Sequence, residues 1–272
     1  STGQITKAMK LVSTVKLQKA KGRAENTKPY FDLMYETVQS ILAKSGHINH
    51  KYLKESESDK KAVIVVTANR GLAGGYNSNI TRMIIDEGFT KENTVVYAVG
   101  KKGRELLERK GYEIKADYSE AINDPIYKDA KEICDDVLSA FADGEVGEIY
   151  LAYTVFKNTV VHEPQLIRLL PVEADDAAHE TDGSEALMTY EPSEEEALDM
   201  IIPKYVCSLV YGALIESVAS ENGARMQAMD SATSNAEEMI STLSLKYNRA
   251  RQASITPVSY THLRAHETGA YL

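Results

Sequence analysis

The residues best placed for chemistry lie in TANRGLAGGYNSN (67–79), where Gly71, Gly74 and Gly75 follow an apolar run and precede a helical one. Phosphate cradles occupy this position, because a helix N-terminus turns unpaired N–H groups towards an anion. The stretch has neither the GxGxxG spacing nor a GKS or GKT ending, so it signals nucleotide binding only weakly. It reads better as a tight turn with Asn77 or Ser78 capping the next helix. The six histidines form no site: His47 and His50 lie in a polar linker, His162 near a hairpin and His179 among acids. His262 and His266 have i,i+4 spacing, but no glutamate stands where HExxH would need one. Cys134 and Cys207 are far apart and in no CxxC pattern, which supports neither a zinc site nor a disulfide framework. They read as small buried apolar residues. With no GxSxG and no Cys–His arrangement, the sequence offers no catalytic, cofactor or metal site.

The bulk numbers bound the class of protein without naming an activity. The chain has 272 residues, 43% hydrophobic and 26% charged, with no Trp and a net charge of −9. An acidic balance of this kind excludes nucleic acid as the expected partner. Residues 1–28 are cationic and amphipathic, so no signal peptide is expected. The most apolar run, VCSLVYGALIESVAS, carries Glu216 and is too short to be read as a membrane span.

The elements that must position these residues fall into distinct blocks. Residues 1–56 read as a long N-terminal helix, with Ile5, Ala8, Val12 and Val15 forming an apolar seam among many lysines. Pro29 should interrupt it before it resumes towards Gly46. Residues 60–172 alternate strands (61–68, 94–100, 148–156, with a return at 165–172) and helices (77–88, 101–110, 124–142), which implies a largely parallel sheet. Residues 173–199 are an acidic connection ending at a helix start near Ser193. Residues 200–256 read as a second long helix, whose seam runs through Met229, Ala232, Ala236, Met239, Leu243, Lys246, Ala250 and Ala253. At about 1.5 Å per residue its proline-free part would be roughly 80 Å long, more than this domain can bury. The economical solution is an α/β fold in which both terminal helices form one antiparallel coiled coil, with a Rossmann-like α/β domain inserted between them.

Four motifs carry a family resemblance. ITKAMKLVSTVKLQKA (5–20) resembles the N-terminal helix of F-type ATP synthase gamma subunits, and NRGLAGGYN (69–77) is similar to their DRGLCGGxN loop, with Asn69 and Ala73 in the usual Asp and Cys places. SENGARMQAMDSATSNAEEMI (220–240) and LKYNRARQASIT (245–256) resemble the C-terminal helix. The resemblance implies a central rotor stalk standing in a ring of alpha and beta subunits. It also implies epsilon-subunit and c-ring partners, proton-driven rotation, and catalysis on the beta subunits. It implies a peripheral location on the cytoplasmic face of a bacterial membrane. It places Met9 and Lys10 near an acidic beta-subunit loop and makes Arg225, Arg249 and Gln252 coupling contacts.

Two departures from the family pattern carry expectations of their own. The family begins earlier, with a basic helical turn, so the chain is expected to be truncated at Ser1. Residues 257–272 lack the heptad seam and the expected QE-rich ending, and Pro257 should break the helix. That tail is expected to be foreign. The rival readings are a nucleotide-binding α/β enzyme, which micromolar nucleotide binding would favour, and an unrelated coiled-coil scaffold, which co-purification with the ring subunits would exclude.

Overall fold

The computed structural model describes residues 2–44, 50–54, 58–172 and 193–269. The acidic stretch 173–192, Gly46 and His47, and the side chains from 256 onwards lie outside the described residues. The chain divides into two compact units, Ser1–Lys10 with Met229–Leu272, and Leu11–Ala228.

The larger unit is built on a five-stranded sheet of order β3-β2-β1-β4-β5. β1 (Lys61–Val66), β2 (Thr94–Val99), β3 (Glu113–Asp117) and β4 (Glu148–Phe156) are parallel, and β5 (His162–Leu170) returns antiparallel to β4. α2 (Tyr76–Asp86), α3 (Lys101–Arg109) and α4 (Tyr127–Ala142) connect the parallel strands. The central strands are short β-branched runs because both of their faces are covered. Val63, Val65, Val96 and Ala98 pack towards Ile80, Ile84 and Leu107 of α2 and α3. Their neighbours Ala62, Ile64, Val66, Tyr97 and Val99 belong to a second core with α4 and the long helices. This alternation is the period-2 geometry of a strand. β3, EIKAD, was not anticipated: it is a five-residue edge strand with charged residues on alternate positions, too polar to stand out.

Two long helices frame the sheet. α1 runs Thr2–Lys44 without interruption through Pro29, against the expected break there. A proline inside a helix costs about 3 kcal/mol. Burial on both sides offsets it, through Leu17 and Ala20 before Pro29 and Val38 and Ile41 after it. α5 runs Glu194–Gly269. Ser193 caps it, its Oγ accepting from the Glu196 N–H. The helix also continues past Pro257, where the sequence predicts an end; a helix can absorb one lost hydrogen bond by kinking.

The most apolar part of α5 is long and apolar enough to cross a membrane by length and composition, yet 56% of that window is buried in the protein. Leu198, Ile202, Val206, Val210 and Leu214 recur there at four-residue spacing and fill the sheet's second core. Each fully buried side chain of this size contributes about 1.5–3 kcal/mol.

In the smaller unit, the first residues of α1 run antiparallel to α5. Thr6 meets Thr233, Lys7 meets Glu237 and Lys10 meets Asp230.

Candidate functional site

The inward face of α1 is not the apolar seam that the spacing suggests. Thr6, Ser13, Leu17 and Ala20 are buried, while Ile5, Val12 and Val15 are exposed, as is Leu11. The spacing of three and four is right, but the face is wrong. Small hydroxyl residues on the inward side permit a close helix approach and still satisfy themselves. Thr6 Oγ1 and Thr233 Oγ1 lie 2.6 Å apart, and the Thr233 hydroxyl also donates to the Met229 carbonyl. Within the larger unit, Thr14 Oγ1 donates to Met226 Sδ at 3.2 Å, and Leu17 and Ala20 pack against Ala219.

On α5 the expected seam is occupied only in its first part. Met229 and Thr233 are buried and Ala232 and Ala236 half-buried, but Met239, Ile240, Leu243, Leu245, Tyr247 and Ile255 are all exposed. Lys246, Ala250 and Ala253 are exposed too. The described chain therefore presents a run of large apolar side chains to the outside, on a helix that also carries Arg249 and Gln252. Exposed apolar residues are ordinary one by one, and this many on one stretch of helix make it a candidate interaction surface.

Met9 is half-buried. Lys10 is held by Asp230, Nζ to Oδ1 at 2.6 Å, with side chains 41% and 59% exposed. Neighbouring Lys7 reaches Glu237 at 2.8 Å. Further down α1, Arg23 lies 2.6 Å from Asp124 Oδ1, and its guanidinium holds that carboxyl below the usual carboxylate range.

Arg225 stands apart from the other candidates. Its side chain is 11% exposed and pairs with Glu221, 14% exposed, at 2.7 Å across one helical turn. Nη2 also donates to the Gly71 carbonyl at 3.3 Å. Arg225 thus fastens α5 to the glycine-containing loop, and so does Tyr76, whose hydroxyl donates to the Ser217 carbonyl at 3.2 Å. Burial raises the Tyr76 phenol far above its ordinary pKa. Ala68, Ala73 and Tyr76 form a small core with Ala224.

The loop's polar atoms are used by the chain itself. Asn69 Oδ1 accepts from the Lys101 N–H at the start of α3, and its amide donates to the Ser119 carbonyl. Asn77 does not cap α2; its Oδ1 accepts from the Ala68 N–H at 2.9 Å. Nor does Ser78, whose hydroxyl donates to the Gly75 carbonyl; Gly75 is the N-cap residue. Leu72, at φ 62°, and Gly74, at φ 57°, take the left-handed conformation. Leu72 is exposed at the tip of this strained turn. Among the described residues there is no cluster of three His, Cys, Asp or Glu side chains able to hold a metal.

The comparisons with known proteins converge. A family model described as ATP synthase matches residues 1–257. The ATP synthase gamma chain of Lachnoclostridium phytofermentans is 67% identical over 262 residues, covering 94% of this chain and 90% of that one. The sodium ion specific ATP synthase gamma chain of Acetobacterium woodii is 42% identical over 272 residues, with coverages of 94% and 90%. Among solved structures, a chain in the central stalk and c-ring of Tetrahymena thermophila mitochondrial ATP synthase superposes with a TM-score of 0.63 at 26% identity. That match covers 84% of this chain and 99% of the other.

Proposed function

This chain belongs to the ATP synthase family as a gamma chain, and we propose that its exposed apolar surfaces are the bearing surfaces of the central rotor stalk. The stalk carries rotation between a membrane ring of c subunits and the catalytic sites of an alpha–beta ring, and performs no bond chemistry itself. The observation that supports this reading is the inversion of polarity along α1. Hydroxyls of Thr6 and Ser13 face inward while Ile5, Leu11, Val12 and Val15 face out. A helix that ends in water gains from the opposite arrangement. An apolar outer face suits the bore of a surrounding protein ring.

The same reading assigns roles to the candidate residues. Met9, Lys10, Arg249 and Gln252 contact the ring and tune coupling. A rotor must leave each angular position as readily as it enters it, so each contact must be weak. Exposed ion pairs worth about 0–1 kcal/mol meet that need. Lys10 acts by exchanging Asp230 for acidic groups of the ring. Arg225 acts differently, by holding the 67–79 loop in place so that Leu72 and Arg70 meet the ring in one geometry. The stalk works at the cytoplasmic face of the membrane through its partners, with residues 1–56 and 200–256 as the shaft and 60–172 as the inserted domain.

Reconstitution with purified alpha and beta subunits tests this. The chain should enter a stoichiometric complex and raise its ATP hydrolysis. A chain that stays outside the ring at micromolar concentrations would overturn the proposal.

A further inference from the structure

In the larger unit α1 meets α5 at two places. Leu17 and Ala20 pack against Ala219, and the Phe31 ring lies so close to Gly212 that a Cβ there would come within 2.8 Å of it. Around and between these contacts, α1, α5 and the β4–β5 hairpin enclose a cavity of about 770 Å³. That volume is usual for a small-molecule site. Three half-buried aromatic rings, Phe31, Tyr153 and Phe156, stand in its walls. Glu216 of α5, half-buried, and Asp32 of α1, exposed, add carboxylates.

The charges of the described lining residues do not balance. Lys21 is matched by Glu25 one helical turn away, at 3.7 Å, and Lys157 by Glu163 at 3.5 Å. Asp32 and Glu216 therefore leave the cavity with an excess of negative charge. Glu216 also acts on the interior: burial, and then this carboxylate, push the Tyr153 phenol up to about 12. A bare divalent ion does not suit the site, since hard cations need several oxygen ligands. Among the described residues no three acidic side chains converge to supply them.

An organic ammonium satisfies all of these features at once. Aromatic faces attract such a cation through their ring quadrupoles, and a carboxylate beside them completes the attraction. We propose that the cavity binds a linear aliphatic polyamine. One ammonium group sits against Glu216 and the Tyr153 and Phe156 rings, and a second turns towards Asp32. The methylenes between them lie along Leu209 and Met226, which keep water from the apolar part of the chain. Two acids set apart by apolar wall match charges set apart by methylene spacers.

The test titrates spermidine into the full chain by calorimetry at physiological salt, with magnesium chloride at matched ionic strength as the comparison. One saturable site is expected for spermidine and none for magnesium. Glu216→Gln should weaken spermidine about tenfold and Phe156→Leu about threefold. Glu132→Gln, the same charge change at an exposed position outside the cavity, should leave binding unchanged. In methyl NMR of the unsubstituted chain, spermidine should shift Ile167 and Met226, which line the cavity, and spare Ile80 and Ile84 in the core under α2. That spectrum decides the matter even if a variant folds poorly. Binding that magnesium matches, or that Glu132→Gln weakens as much as Glu216→Gln does, is general attraction to an acidic chain and overturns the proposal. Unmoved Ile167 and Met226 signals overturn it as well.

Discussion

Lys10 Nζ lies 2.6 Å from Asp230 Oδ1, joining the first turns of α1 to α5 in an ion pair that stays open to water. With side chains 41% and 59% exposed, such a pair contributes about 0–1 kcal/mol. Lys10→Ala should therefore shift the urea midpoint of the isolated chain very little. Lys10→Glu should assemble with the ring yet lower ATP-driven ion pumping relative to hydrolysis. Unchanged pumping per ATP in Lys10→Glu would remove Lys10 from the coupling contacts.

Arg225 gives the contrasting case. Its pair with Glu221 is largely shielded, so Arg225→Ala strands a carboxylate and frees the Gly71 carbonyl. A loss of about 2–3 kcal/mol in urea unfolding is expected, well above that for Lys10→Ala. Glu221→Gln with Arg225→Ala should recover part of the loss. Equal costs for Arg225→Ala and Lys10→Ala would contradict the anchoring role.

Gly100 is fixed by a close approach between backbones. It sits at φ 117°, and a Cβ there would lie 2.1 Å from the Thr67 carbonyl oxygen. Thr67 in turn is bound at both ends of its hydroxyl, donating to the Gly100 carbonyl and accepting from the Gly103 N–H. Gly100→Ala must push β1 and the start of α3 apart, at a cost of about 3 kcal/mol. Circular dichroism melting of the chain measures this; a midpoint within 2 °C or so of the parent would show that the contact relaxes cheaply.

His162 should make stability pH-dependent. Its Nε2 is buried without a hydrogen-bond partner, the ring lies beside Phe156, and a Cβ at Gly223 would come within 2.5 Å of Nε2. Burial lowers its pKa below the ordinary 6.5. The unfolded chain then binds the proton more readily than the folded one, so stability contributed by neutral His162 falls as pH drops below about 6.5. Urea midpoints between pH 7.5 and 5 should decline more steeply in the parent than in His162→Phe; parallel curves would rule this group out.

The sheet was the most legible part of the fold. KAVIVV, TVVYAV and EIYLAYTVF are apolar enough on both faces to read as buried strands, whereas EIKAD hides an edge strand among charges. Periodicity located both long helices but misassigned the inward face of α1. Ile5, Val12 and Val15 form the stronger hydrophobic stripe, yet all three are exposed, and the rule that apolar residues turn inward runs only one way. The role of Arg225 was hidden for a simpler reason. Its partner, Gly71, meets it only after the inserted domain has folded against α5.

Rotation itself is the most direct test. The ring is fixed to a surface, and a bead is attached to the chain through Lys128→Cys, an exposed position on α4. With ATP supplied, single-molecule imaging should show the bead turning in one direction in discrete steps, at a rate that tracks hydrolysis. A complex that hydrolyses ATP at full rate while the bead stays still would contradict the account.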